Sequence, residues 1–320
     1  MRAQCYSEPA LTLPPRVQTL LRLGQDLYRS RSDLQAAFPN PDGPEYWYWL
    51  MWHGVSECPA IHDNLYPLPD RFLRDRIVGE GVSDEDFHRG GLVDWRQLER
   101  GLRDGGYDFE RPGSVLDFGC GCARILRFFG VYANTTTFCG ADVDADAIAW
   151  CERHIDFAQF AHVTFRPPTP FASETFQGIV SFSVFSHLSE ELHLLWLQEL
   201  HRITAPGAIL VVSTQGERVM RLILDGGRND LFPTQERLAE SLSAIQTNGF
   251  GFFPYETLEP TDDRNRDAYA RWPLDSYGAA FVLEPYIRDR WGRLFDVLEH
   301  RAHPDGWQDF TVLRRPSLRN

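Results

Sequence analysis

The sequence predicts an α/β fold built on a doubly wound parallel sheet, and three observations lead to this prediction. Between residues 113 and 214, short apolar segments alternate with longer amphipathic ones. Such alternation is typical of βαβ units, in which helices cover both faces of parallel strands. The first apolar segment runs into Gly119-Cys120-Gly121, a turn that lets a ligand approach the backbone. With 320 residues, 43% of them hydrophobic, the chain can bury a sizeable core.

The elements of this central region follow from its apolar runs and from the helical spacing of its leucines. Strands are predicted at 114–118, 136–141, 163–165, 178–182 and 208–214. Helices are predicted at 123–129, 145–157 and 190–203. The last of these is the best supported, because four leucines recur along it at helical intervals. Asp144 is expected to cap the helix that follows it, since Asp is a favoured N-cap residue.

Three regions precede the C-terminal segment. Residues 1–95 are expected to form an N-terminal cap, mostly helical, with an amphipathic helix at 17–28 and a dense aromatic run at 46–53. Residues 96–214 form the core. Residues 215–275 break the strand-helix alternation, which indicates an insertion that covers the substrate.

The C-terminal segment, residues 276–320, is expected to complete the core. A helix is predicted at 285–291, and strands are predicted at 294–299 and 307–313. The connection between these strands contains His303-Pro304-Asp305-Gly306, a turn signal that indicates an antiparallel hairpin.

The composition of the chain limits which binding partners and which cellular compartment we expect. The formal net charge of -13 disfavours nucleic acid and anionic membranes as partners. The chain has no lysine, which excludes a lysine Schiff base. The six cysteines do not suggest a disulfide framework, and Cys120-Gly121-Cys122 is tighter than a usual zinc pair, so we expect a cytoplasmic protein without a metal. No segment approaches the ~20 apolar residues needed to span a bilayer, and the first 15 residues lack a signal-peptide core.

The glycine turn alone leaves two kinds of cofactor open. A dinucleotide site favours a third glycine three residues after Gly121, where this chain has Arg124. The other kind, a cofactor with a cationic amino-acid end, favours an acidic residue two positions before the first glycine. Asp117 stands there. Asp142 ends the next predicted strand, where its two carboxylate oxygens can accept from vicinal ribose hydroxyls.

Four segments in order together resemble class I S-adenosylmethionine-dependent methyltransferases. They read VLDFGCG at 115–121, GADVD at 140–144, GIVSFSVFSHL at 178–188 and ELHRITAPG at 199–207. A weaker likeness extends upstream through Phe87-His88-Arg89-Gly90-Gly91. The resemblance implies a Rossmann-like sheet of seven strands, the last antiparallel, and S-adenosylmethionine as a cofactor that leaves as S-adenosylhomocysteine. It also implies a set of cofactor-binding residues: Arg89, Gly90, Asp117, Gly119, Cys120, Gly121, Asp142, Val143, Phe182 and Ser183.

His187 follows the fourth strand of the central region, at the substrate edge of this kind of sheet. An imidazole titrates near neutral pH, so His187 is a candidate general base, and a histidine that merely bonds the backbone is the alternative. The substrate candidates are Trp52, His53, Gln215 and Tyr277. For the aromatic run that contains Trp52 and His53, a lid over the site and a small hydrophobic core are equally open.

The resemblance implies an in-line methyl transfer to a small organic acceptor, with oxygen or nitrogen favoured as the accepting atom. An acceptor from specialised metabolism is expected on fold analogy. Two alternatives from other classes remain at this point. One is a non-catalytic protein that keeps the fold and binds the cofactor, and the other is a nicotinamide-dependent oxidoreductase, which Arg124 disfavours.

Overall fold

A computed structural model describes residues 13–224, 235–255, 266–267, 270–273, 275–302 and 306–317. Its strands are β1 Gly113–Phe118, β2 Thr136–Asp142, β3 Ala158–His162, β4 Phe176–Ser181, β5 Thr204–Thr214, β6 Phe250–Pro254, β7 Gly278–Val282, β8 Asp296–Arg301 and β9 Asp309–Arg314. Seven of them form one sheet in the order β3-β2-β1-β4-β5-β9-β8. Strands β6 and β7 form a separate pair.

The large sheet has the predicted topology. Strands β1 to β5 are parallel, and the strand order reverses between β1 and β4, so the chain winds outward in both directions. The last strand, β9, lies between β5 and β8 and is antiparallel to both. A seven-stranded, doubly wound sheet with an antiparallel last strand is therefore confirmed. Such a sheet binds ligands beyond the carboxyl ends of its strands, at the point where the order reverses.

Helices cover both faces of this sheet. They are α1 Pro15–Ser30, α2 Ser32–Ala37, α3 Pro44–Trp49, α4 Val55–Glu57, α5 Pro59–Asp63, α6 Arg71–Val78, α7 Asp84–Gly105, α8 Ala145–His154, α9 Glu190–Ile203, α10 Glu217–Leu224, α11 Gln235–Asn248 and α12 Glu284–Arg290. Because both faces are covered, the central strands β4 and β5 read as near-continuous apolar runs. Across the described ranges, no helix is long and apolar enough to cross a membrane.

Helix α7 joins the N-terminal segment to the sheet. It begins at Asp84, where the Ser83 side chain accepts from the backbone N–H of Asp86. It ends at Gly105 and is followed by Gly106, whose φ of 106° permits the left-handed cap. Its glycines allow close packing on the sheet, since a Cβ at Gly105 would lie 2.6 Å from Ile209. The boundary expected at residue 95 thus falls inside one continuous helix.

The aromatic run at 46–53 packs as a small core. Tyr46 and Trp47 are 2% and 3% exposed. The Trp47 indole donates to the carbonyl of Phe128 at 3.1 Å, and the Tyr46 hydroxyl donates to the carbonyl of Gly24 at 2.6 Å. These bonds satisfy the polar atoms that burial takes from water. Of the two interpretations left open for this run, the geometry favours the hydrophobic core.

Three predicted elements differ from the observed ones. The helix expected at 145–157 ends at His154, so β3 occupies 158–162 and the strand expected at 163–165 is wrong. The helix expected at 123–129 is a 3-10 helix at Leu126–Tyr132, because Gly119, Gly121 and Ala123 all have positive φ and keep the preceding loop out of helical geometry. Asp144 caps α8 as predicted, accepting from the N–H groups of the two residues that follow Ala145.

The C-terminal segment was expected to complete the large sheet from residue 276 onward. Its helix α12 and its strands β8 and β9 are confirmed, and β8 pairs with β9 in antiparallel fashion. Strand β7, however, pairs with β6 from the insertion. Most of the expected turn, residues 303–305, lies outside the described residues.

Candidate active site

A cavity of about 670 Å³ lies at the carboxyl ends of β1, β2 and β4. This is the point where the strand order reverses, and the volume falls in the range of ~300–1,000 Å³ typical of small-molecule sites. The loop after β1 forms its floor, while α6 and α7 from the N-terminal segment contribute to its wall.

The glycine loop is shaped for close backbone approach. Gly119 and Gly121 have φ values of 82° and 52°. A Cβ at Gly119 would overlap the side chain of Val184, and one at Gly121 would lie 2.8 Å from Ile77 on α6. Glycine at both positions therefore follows from backbone conformation and from space.

Two carboxyl groups flank this loop. Asp117 is 2% exposed, and its Oδ2 atom has no hydrogen-bond partner among the described residues. Burial, reinforced by the neighbouring carboxyl of Asp142, raises the pKa of Asp117 to about 7. A buried acceptor without a partner is costly unless a ligand supplies the donor.

Asp142 is held by the backbone around it. Its Oδ2 atom accepts from the N–H of Gly121 at 2.7 Å, and its Oδ1 atom accepts from the N–H of Asp144 at 2.8 Å. Shielding from water raises the pKa of Asp142 to about 6, against the lowering effect of these N–H donors. Each carboxylate oxygen retains a second lone pair, so the group can still accept from a ligand hydroxyl. Asp142 thus also ties the end of β2 to the glycine loop.

The ring orientation of His187 is fixed by the small β6–β7 sheet. Its Nδ1 atom lies 3.0 Å from the carbonyl oxygen of Gly278 and 3.4 Å from the hydroxyl of Tyr255. Its Nε2 atom lies 3.4 Å from the hydroxyl of Ser183, at the cavity. Burial lowers the pKa of His187, and the bond to the Gly278 carbonyl only partly offsets this effect.

A polar network that was not predicted holds the loop after β4. Ser183 has a φ of 59°, an unusual value for a residue with a side chain. Its N–H donates to the hydroxyl of Ser213 at 2.8 Å, and that hydroxyl donates to Oε1 of Gln308 at 3.1 Å. The Gln308 amide returns a hydrogen bond to the hydroxyl of Ser183 at 3.3 Å. The network spans three distant segments, so no local pattern in the sequence points to it.

The structure brings most of the predicted site residues together at this one cavity. Those that line it are Gly90, Asp117, Gly119, Cys120, Gly121, Asp142, Val143, Phe182, Ser183, His187 and Tyr277. Phe165 and Trp272 also line it, close to Tyr277.

Four predicted residues do not line the cavity. Arg89 turns to the surface, pairs with Glu85 at 2.7 Å and covers the ring of Trp52. Trp52 is half-buried and packs on the aromatic core of the N-terminal segment, and His53 is exposed beside it. Gln215 is a link between sheets, since its carbonyl accepts from the N–H of Val282 at 2.8 Å.

The cavity residues fit S-adenosylmethionine. The turn at Gly119 leaves no room for a side chain, so a ligand there meets bare backbone. The orphaned carboxyl oxygen of Asp117 suits a cationic group, and the half-buried carboxylate of Asp142 suits a ribose. Apolar side chains of Val143 and Phe165 are available to an adenine ring.

Comparison with known proteins agrees with this geometry. The family model described as a methyltransferase domain matches residues 95–274. Among solved structures of similar fold, a protein of Pyrococcus horikoshii shares 13% identity over 75% of this chain and 97% of its own, with a TM-score of 0.49. The 1,6-didemethyltoxoflavin-N1-methyltransferase of Burkholderia thailandensis shares 13% identity over 78% of this chain and 92% of its own, with a TM-score of 0.46.

A third similar structure is a S-adenosylmethionine-dependent methyltransferase of Methanosarcina mazei, with 15% identity over 65% of this chain and 94% of its own and a TM-score of 0.45. The family match itself covers more than half of the present chain and includes the glycine loop, Asp142 and His187. It sets aside the nicotinamide-dependent alternative. The protein belongs to this methyltransferase family and is a class I S-adenosylmethionine-dependent enzyme.

Proposed function

We propose that this enzyme methylates an oxygen or nitrogen atom of a small organic acceptor, with His187 as the general base. The observation that carries the proposal is the orientation of the His187 ring. A carbonyl oxygen only accepts hydrogen bonds, so Nδ1 of His187 carries the hydrogen atom and donates to the carbonyl of Gly278. The lone pair then resides on Nε2, the atom that faces Ser183 at the cavity.

The protonation state of His187 suits this role. Because burial lowers its pKa, the imidazole is neutral near pH 7 and can accept a proton. Carboxylic acids and acidic phenols need little help to ionise, whereas neutral hydroxyls and protonated amines need a base. The proposal therefore favours acceptors that must lose a proton as the new bond forms.

The remaining cavity residues would position the cofactor for the reaction. The bound cofactor supplies an activated methyl group on a sulfonium leaving group. Asp117, the glycine loop and Asp142 would hold that cofactor at the end of β1, while Phe182 and Ser183 border the same space. Alignment of reactants accounts for much of the rate in such displacements, and a general base contributes ~100- to 10,000-fold.

We infer a small acceptor from the form of the site. The cavity is walled by α6, α7 and the segment just before β7, and its lining combines aromatic rings with a few polar groups. Such lining is typical of sites for small organic molecules. The net charge of -13 further disfavours nucleic acid as the acceptor. A role in specialised metabolism and a cytoplasmic location remain part of this proposal.

The test is an acceptor screen with purified enzyme and S-adenosylmethionine. The panel holds phenols, aliphatic alcohols, carboxylic acids and primary or secondary amines, and formation of S-adenosylhomocysteine is followed by mass spectrometry. The expected result is turnover with a neutral hydroxyl or amine that is greatly reduced in His187→Gln. Cofactor binding without turnover on any acceptor of the panel would contradict the proposed class of acceptor. Turnover that His187→Gln leaves unchanged would contradict the assignment of the base.

A further inference from the structure

The hydroxyl of Ser183 lies at the cavity, beside the proposed base. Its Oγ atom is 3.4 Å from Nε2 of His187. The φ of 59° at Ser183 is costly for a residue with a side chain, and such strain persists only where the surroundings hold it. Three buried polar side chains do so here, those of Ser186, Ser213 and Gln308. The direction of each hydrogen bond among them decides what Ser183 can offer to a ligand.

The amide of Gln308 faces the loop after β4 with its nitrogen atom. The hydroxyl of Ser213 accepts from the N–H of Ser183 at 2.8 Å and carries one hydrogen of its own. Within the described chain the other partner of this buried hydroxyl is the Gln308 amide at 3.1 Å, so its hydrogen goes to Oε1. In the reversed amide that hydrogen would have no acceptor, which is costly for a buried group. The Nε2 atom therefore points to Ser183 and Ser186, at 3.3 and 3.5 Å.

Both lone pairs of the Ser183 hydroxyl are then engaged. Gln308 donates to one of them. Ser186 is fully buried, and among the described residues its own hydrogen finds an acceptor only in Ser183, at 3.2 Å. With two donors directed at its oxygen, Ser183 can only donate, and the contact left for its hydrogen is the one to Nε2 of His187. At 3.4 Å this bond is long, so a ligand can replace it at little cost.

An acceptor molecule at this point meets a base and a hydrogen-bond donor together. A hydroxyl group has one hydrogen and two lone pairs, so it can donate to His187, accept from Ser183 and still attack the methyl carbon. A neutral amine has a single lone pair. A hydrogen bond from Ser183 would occupy the pair with which the amine must attack.

We propose that the acceptor atom is a hydroxyl oxygen, to which Ser183 donates a hydrogen bond while His187 removes the proton. The inference rests on the proposed role of His187 and narrows the acceptor from oxygen or nitrogen to oxygen. One lone pair of the oxygen forms the bond to the methyl carbon, the hydroxyl proton passes to Nε2 of His187, and the electron pair of the carbon–sulfur bond remains on sulfur. The Ser183 donor stabilises the negative charge that develops on the oxygen. Gln308 acts through Ser183 and is a positioning residue.

The test compares a hydroxyl acceptor from the screen with the amine of the same carbon skeleton. An amine is intrinsically the better nucleophile, so a preference for the hydroxyl must come from the site. In the wild type we expect kcat/KM to be about tenfold or more higher for the hydroxyl. Ser183→Ala should lower kcat for the hydroxyl about tenfold or more and leave kcat for the amine unchanged.

Two further variants complete this comparison. Gln308→Glu can accept from the Ser183 hydroxyl but cannot donate to it, so it turns that hydrogen away from the acceptor. It should show the same split between hydroxyl and amine as Ser183→Ala. Ser114→Ala is the control, because Ser114 lies at the start of β1, away from the cavity, and bonds the carbonyl of Thr175. It should change neither rate.

The outcomes separate this inference from the proposed function. A faster reaction of the amine would overturn the oxygen preference, and so would equal losses for both acceptors in Ser183→Ala, since a merely structural serine affects both alike. If His187→Gln abolishes that amine reaction, the proposed base stands and only the preference for oxygen is wrong. Turnover that His187→Gln leaves unchanged would refute the base and this inference with it.

An NMR titration of His187 tests the same arrangement without an acceptor. A hydrogen bond donated to Nε2 stabilises the neutral imidazole, so its loss in Ser183→Ala should raise the pKa of His187. A pKa that falls would mean that Ser183 accepts from the imidazole, an unchanged pKa would mean that it makes no such bond, and either result would refute the proposal. Should the alanine variant not fold, Ser183→Gly also removes the hydroxyl and suits the φ of 59°.

Discussion

The Nδ1 atom of His187 lies 3.0 Å from the carbonyl oxygen of Gly278, the first residue of β7. This contact joins the loop after β4 to a two-stranded sheet that is separate from the main one. The two-stranded sheet, with β6 from the insertion and β7 from the C-terminal segment, therefore orients the proposed base through backbone geometry. Any change that displaces β7 should alter the tautomer or the direction of the imidazole.

Replacement of His187 tests the proposed base directly. In His187→Gln we expect kcat to fall about 100-fold or more, since a general base contributes at least that factor. The Kd for S-adenosylhomocysteine should hardly change, because this ligand needs no proton transfer. His62→Gln, at an exposed histidine of α5 away from the cavity, is the control and should behave as wild type. A fully active His187→Gln enzyme would remove His187 from the chemistry.

The pH dependence of the same reaction carries a second signature of His187. Burial lowers the pKa of this imidazole, so its neutral form persists below the ordinary histidine value of ~6.5. The acid limb of the kcat profile should therefore fall at a pH below ~6.5 in the wild type. Any activity left in His187→Gln should lack this limb. An acid limb at or above the ordinary value would contradict the assignment.

Asp142 is expected to act on the cofactor and on the loop together. Asp142→Ala removes a possible ribose acceptor and leaves the N–H groups of Gly121 and Asp144 without their partner. We expect the Kd for S-adenosylhomocysteine to rise about tenfold or more and the Tm to fall. Asp144→Ala is the matched control for the fall in Tm. It removes the neighbouring carboxylate, which caps α8, at a cost of ~1 kcal/mol in stability. An unchanged Kd in Asp142→Ala would falsify the ribose assignment.

Asp117 should make the protein without cofactor less stable at higher pH. Folding raises its pKa to about 7, so the folded chain binds this proton more tightly than the unfolded chain does. The stability from that proton is complete below the ordinary carboxyl pKa of ~3.9 and is lost as the pH rises through 7. Asp117→Asn cannot ionise there, so its Tm should exceed that of the wild type at pH 8 by more than at pH 5. Parallel Tm curves for the two proteins would contradict this prediction.

The sequence predicted the parts of the site that local order determines. A strand, a glycine turn and an acidic residue at the next strand end are contiguous signals, so Asp117, Gly119 and Asp142 were placed correctly at one cavity. Arg89 was predicted at the cofactor but lies away from the cavity and pairs with Glu85, because a sequence does not show which face of α7 meets the loop. The orientation of α7 depends on the packing of Gly90 and Gly91 against Arg124, across more than 30 residues of chain.

Other features lay beyond prediction for a similar reason. Ser213 and Gln308 are 95 positions apart, and only the antiparallel pairing of β5 with β9 brings them together. The role of β7 could not be seen either, because its pairing with β6 depends on the path of the insertion. For the aromatic run at 46–53 the sequence left two interpretations open, because a cluster of tryptophans and tyrosines suits a lid and a core equally well.

Two tryptophans provide the last test, because one belongs to the substrate residues predicted from the sequence and the other lines the cavity. Trp307 lines the cavity and is 43% exposed, whereas Trp52 packs against Tyr48 and Arg89 away from it. With an acceptor from the screen, Trp307→Ala should raise KM roughly 2- to 10-fold, the loss expected for ~0.5–1.5 kcal/mol of aromatic contact. Its Tm should stay close to that of the wild type, because an exposed ring contributes little to the core.

Trp52→Ala should show the reverse pattern. The loss of its packing should lower the Tm, and KM for the same acceptor should remain near the wild-type value, because the ring does not reach the cavity. Steady-state kinetics and thermal unfolding of both variants decide the question. If Trp52→Ala raised KM while Trp307→Ala did not, the acceptor would bind against the N-terminal aromatic core, and the site would have to be extended toward α3.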